Sequence, residues 1–80
     1  MSIALTALQP GQAAVICGYA DDDPQTQQRF MTMGLLEGSE VELLRIAPAG
    51  DPIEIRVMGY ALSLRKQDAA VILVETDGST

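Results

Sequence analysis

The sequence predicts a mainly β domain, a small antiparallel β-barrel of about five strands with one α-helix inserted after the first strand. Three observations carry this reading. Seven Gly and four Pro cut the 80 residues into short pieces. Apolar residues then alternate along those pieces, most cleanly from Ile53 to Met58. Helical spacing, by contrast, occurs once, at Phe30 and Met33.

The elements follow in order. Thr6-Ala7-Leu8 forms one turn before Gln9-Pro10-Gly11 redirects the chain. Ala13 to Ala20 is apolar and holds β-branched Val15 and Ile16, so it reads as a strand covered in part on both faces. Asp21-Asp22-Asp23-Pro24 starts a helix: a carboxylate caps free N–H groups, and Pro in the first turn has no N–H to leave unpaired. The helix runs from Gln25 to Met33, and Gly34 stops it in the left-handed conformation. Leu35-Leu36-Glu37-Gly38 turns into a strand from Glu40 to Ala47. Pro48-Ala49-Gly50-Asp51-Pro52 has hairpin chemistry. Ile53 to Met58 places Ile53, Ile55 and Val57 inward, and Gly59 marks a bend or bulge before a strand from Tyr60 to Leu64. Arg65-Lys66-Gln67-Asp68 is a polar turn or one loose helical turn, and Ala69 to Glu75 is the last strand. Gly11, Gly34, Gly38, Gly50 and Gly59 are the structural turn residues. Residues 1–75 make one domain and 76–80 a flexible C-terminal tail.

Composition excludes whole classes of function. Five Lys and Arg against eleven Asp and Glu give a net charge of −6. That argues against affinity drawn from phosphates, and therefore against nucleic acid. Without His, no Ser-His-Asp triad, Cys-His dyad or His-ligated zinc site exists within the chain. One Cys permits no internal disulfide. There is no P-loop, no membrane-length apolar run and no signal-like N-terminus, so the expectation is a cytoplasmic protein with no direct membrane insertion and no enzymatic activity.

Few residues are left to carry function. Asp21 to Asp23 lack the spacing of a calcium loop and read as a helix start. Cys17, among apolar neighbours, reads as a buried small hydrophobe. Phe30 and Met33 read as core. Leu35 and Leu36 are adjacent in a turn and cannot both point inward, so with Met31 they mark an apolar partner surface. Arg65, beside Lys66, is a positive contact on an acidic molecule. The candidate partner-binding residues are therefore Met31, Leu35, Leu36 and Arg65. No catalytic residue, cofactor or metal ligand is assigned, and a weak homo-oligomer stays open.

The motifs Leu8-x-Pro10-Gly11, Arg29 to Gly34-Leu35 with Gly38, Pro48-x-Gly50-Asp51-Pro52, Gly59-Tyr60-x-Leu62-Ser63-Leu64-Arg65-Lys66 and Ile72-x-Val74 occur in one order over nearly the whole chain. Together they resemble FeoA, the small cytosolic component of bacterial ferrous-iron uptake. The chain departs from the family in having Phe30 and Met33 where leucines are common, a volume-tolerant exchange. The resemblance implies an SH3-like β-barrel with a helical insertion. It also implies a non-enzymatic accessory that binds the cytosolic G-protein domain of the FeoB permease, which recruits it to the inner face of the membrane. The same barrel occurs as the C-terminal regulatory domain of diphtheria-toxin-regulator-type repressors, which gives the alternative of a metal-responsive module.

Overall fold

The computed structural model describes residues 2–76. In chain order it contains β1 (Ile3–Ala4), a 3₁₀ turn (Leu5–Ala7), β2 (Ala13–Tyr19), α1 (Pro24–Thr32), β3 (Glu40–Ile46), β4 (Ile53–Val57), β5 (Tyr60–Leu64), α2 (Lys66–Ala69) and β6 (Ile72–Glu75). The strands form one antiparallel sheet in the order β1-β6-β2-β3-β4-β5.

Period-2 patterning sets which side faces in. In β4, Ile53, Ile55 and Val57 are buried and Arg56 is exposed. In β2, Ala14 and Ile16 are buried while Ala13 and Val15 are exposed, and Cys17 to Tyr19 are half-buried, so only the second half of the strand is covered in part on both faces. Phe30 from α1 completes the interior together with Leu5, Leu43, Ile55, Ile72 and Val74, each fully buried. Burying one such side chain contributes about 1.5–3 kcal/mol. No buried residue is polar or charged among those described.

Four expectations need correction. There are six strands, because Ile3–Ala4 pairs with Leu73 and Val74; two residues are too few to show a period. Strand pairing does not close the barrel, since β1 and β5 each have a neighbour on one side only. The last strand starts at Ile72 and not at Ala69, because the turn after β5 takes its helical form, α2, as far as Ala69, with the Asp51 carboxylate holding its first amide, Lys66 N, at 2.9 Å. Cys17 is half-buried, because the β2–β6 register slips between Ile16 and Gly18 and leaves it without a strand partner on β6.

All five turn glycines have φ between +82° and +91°. At Gly59 the bend is a two-residue hairpin turn. Met58, at φ 54°, shares its positive φ, and Val57 pairs directly with Tyr60. The tail expected at 76–80 lies, beyond Thr76, outside the described residues.

Candidate functional site

The surface of interest is built around the C-terminal end of α1. Asp23 starts the helix by accepting from the Gln25 amide at 3.0 Å, with Pro24 in the first turn. Nine residues later the helix ends in a Schellman motif: the Gly34 N–H donates to the Met31 carbonyl and the Leu35 N–H to the Phe30 carbonyl, both at 3.0 Å. Gly34 adopts φ +91°, and a Cβ there would lie 3.2 Å from Met58 Cγ.

That motif decides which of the two leucines faces the core. It brings the residue after the glycine onto the last helical turn, here Leu35 against Phe30, and both are fully buried. Leu35 is therefore a core residue and cannot serve as a surface contact. Leu36, one residue further, is 40% exposed.

Both tyrosines of the chain hold the segment that follows. Tyr19 Oη, from β2, donates to the Leu35 carbonyl at 2.5 Å, and Tyr60 Oη, from β5, donates to the Met33 carbonyl. Gly38 N donates to Ile16 O at 2.7 Å, and Ile16 N to Ser39 O at 2.9 Å. Burial, reinforced by the nearby Glu37 carboxylate, pushes the Tyr19 hydroxyl pKa above its usual value of 10.0. The Tyr19 ring also lies 5.9 Å from that of Phe30.

On or beside this fixed segment stand Met31, Leu36, Met58 and Tyr60, all exposed, while half-buried Met33 packs against the core. Met58 and Tyr60 are not among the contact residues expected from the sequence. Met58 has the pattern of an ordinary outward strand residue, and only the hairpin turn brings it over Gly34. Arg65 is exposed but stands apart, at the other end of β5 from Tyr60, ~17 Å along an ideal antiparallel strand. Arg29 is engaged: its guanidinium meets the Asp68 carboxylate at 3.0 Å and lies over the Phe30 ring.

Among the described residues, no group of three or more His, Cys, Asp or Glu is placed to hold a metal ion. The carboxylates of Asp21 and Asp23 accept from amides of their own segment. No helix in the described chain is long and apolar enough to cross a membrane.

Comparison with known proteins agrees with this architecture. Residues 3–76 match the family model described as the FeoA domain. Over 71 residues, 89% of this chain, the sequence is 37% identical to an Fe(2+) transport protein A/Fe(2+) transporter FeoB fusion protein of Porphyromonas gingivalis, of whose length it spans 8%. The NMR structure of a FeoA-like protein from Clostridium acetobutylicum superposes with a TM-score of 0.88 at 34% identity, covering 99% of this chain and 91% of that one. Zinc-complexed FeoA of Stenotrophomonas maltophilia, described as a procaryotic SH3 domain protein, shares the fold at a TM-score of 0.77 and 24% identity, covering 91% and 89%. The architecture is thus SH3-like, with the sheet left open. A manganese-dependent transcriptional repressor shares the fold alone, with a TM-score of 0.82 at 21% identity over 94% of this chain and 41% of that one. By both its family model and its relatives, the chain belongs to the FeoA family.

Proposed function

We propose that this chain is a non-enzymatic accessory of ferrous-iron uptake that docks on the cytosolic G-protein domain of the FeoB permease. The observation that carries this reading is the fusion protein of P. gingivalis, in which a related segment and FeoB share one polypeptide. Two proteins that work in contact lose little by being joined, because a tether turns their encounter into an intramolecular one. The docking surface is the apolar patch of Met31, Leu36, Met58 and Tyr60, with Arg65 as a separate polar contact. Exposed apolar side chains held by a rigid support bind with little loss of freedom, and the hydrogen-bonded 33–39 segment is such a support. The protein works in the cytosol, brought to the membrane by this partner. The regulatory-module alternative has fold likeness alone in its favour.

Calorimetric titration into the cytosolic domain of the matching FeoB, with GDP and with a GTP analogue, tests the proposal. The expected result is saturable binding that Leu36→Asp weakens at least about tenfold, with thermal unfolding little changed. Absence of binding in both nucleotide states overturns it. A nucleotide preference would assign the protein to control of the G-protein cycle.

A further inference from the structure

The two edges of the sheet are treated very differently. β1 is two residues long, which leaves little for another strand to pair with. β5 is five residues, Tyr60-Ala61-Leu62-Ser63-Leu64, paired to β4 in unbroken register. It has no charge, Pro or bulge of the kind that commonly blunts an edge.

The hairpin turn fixes which of its backbone groups are free. Val57 and Tyr60 close a two-residue loop and so exchange both hydrogen bonds. By alternation, Ile55 with Leu62 and Ile53 with Leu64 do the same. Ala61 and Ser63 are left with N–H and C=O directed away from β4, where no strand among the described residues pairs with them, and both residues are exposed.

We propose that a second copy of this chain adds to that edge, β5 against β5 in antiparallel register about Leu62. This goes beyond the permease-docking role and does not depend on it. A two-fold crossing at Leu62 sets Ala61 opposite the partner's Ser63 and Ser63 opposite the partner's Ala61. Each is a hydrogen-bonded pair, so four bonds use all four free groups of each copy and leave none. The small Ala61 and Ser63 side chains leave room for the approach. Charge favours the same orientation. Arg65 and Lys66 follow one end of β5, so antiparallel pairing sets those of the two copies at opposite ends, whereas parallel pairing would set them side by side. A five-residue pairing buries well under the ~1,000 Å² of a stable interface. The dimer is therefore weak, with Kd on the order of 0.1–1 mM.

Sedimentation equilibrium of the full chain from ~20 μM to ~2 mM, with amide exchange measured over the same range, tests the proposal. Expected is a monomer–dimer equilibrium in which the Ala61 and Ser63 amides become protected as concentration rises. Ser63→Pro removes one outward donor, and Ser63→Lys places a charge on the edge; each should leave a monomer throughout. The Lys variant keeps the β5 backbone intact, so its loss of association cannot be ascribed to misfolding. A wild-type chain that stays monomeric at ~2 mM overturns the proposal and leaves the edge to a strand of different origin. Association unchanged in both Ser63 variants but abolished by Leu36→Asp also overturns it, in favour of the apolar patch.

Discussion

The two ends of α1 are built on opposite plans. At the N-terminal end the side-chain hydrogen bonds are local: Asp23 N donates to Asp21, Gln25 N and the Thr26 hydroxyl donate to Asp23, and Gln27 Nε2 donates to the Asp21 carbonyl. Seven consecutive residues close the helix with groups of their own. At the C-terminal end the capping glycine sits under Met58, and the carbonyls on either side of it, of Leu35 and Met33, are held by tyrosines 16 and 27 residues away in sequence. The polar end is finished by itself, whereas the apolar end is assembled by the fold and still exposes Met31, Leu36, Met58 and Tyr60. A helix needs only one face buried for its stability. Apolar side chains left outside on a hydrogen-bonded support are therefore the feature to connect with a partner.

The sharpest way to break this comparison is within the Leu35-Leu36 pair. Leu35→Ala empties part of the core and should cost about 2–5 kcal/mol in denaturant unfolding. Leu36→Ala should stay within about 0.5 kcal/mol, because a half-open side chain leaves no sealed cavity. Equal losses for the two would remove the distinction between core and docking surface. Gly34→Val comes next. It forces a β-branched residue to φ +91° and a Cβ toward Met58. The expected cost is about 2–3 kcal/mol, with weaker FeoB binding as Met58 is displaced. A smaller effect follows at the other end. Asp23→Ala should cost about 1 kcal/mol, the worth of an N-cap, and leave partner binding unchanged. Loss of binding in that variant would mean that the docking surface reaches the acidic end.

What could be read in advance follows the same division. The helix start was legible from Asp23-Pro24 because the contacts that make it lie within one turn. The β4 face was legible because alternation encodes it residue by residue. The helix end was half legible: Gly34 showed the stop, and Phe30, four residues before it, with Leu35 just after it, spelled the Schellman contact that buries one leucine and frees the other. Reading Leu35 as surface missed that spacing. Neither Met58 nor Tyr60 could be assigned to the surface from local pattern, since both reach it through the β4–β5 turn, and no local pattern reports that Tyr60 meets a carbonyl 27 residues distant. β1 is invisible for a related reason, as its two residues become a strand only by pairing with β6.

The mildest test uses pH. Tyr19 donates to Leu35 O only while protonated, and burial together with Glu37 raises its folded pKa above the 10.0 of an open tyrosine. A group with a raised folded pKa binds its proton more tightly when folded. Its contribution to stability is then complete below pH 10.0 and is lost as pH rises through the folded value. Denaturant unfolding should show stability falling above pH ~10, and Tyr19→Phe should flatten that fall. At neutral pH the same variant should lose about 0.5–1.5 kcal/mol for the missing hydrogen bond. The comparison gains from a parallel measurement on Asp23→Ala, whose helix end contains no tyrosine. Its alkaline slope should match the wild type, so the two variants separate the end held by distant side chains from the end that holds itself.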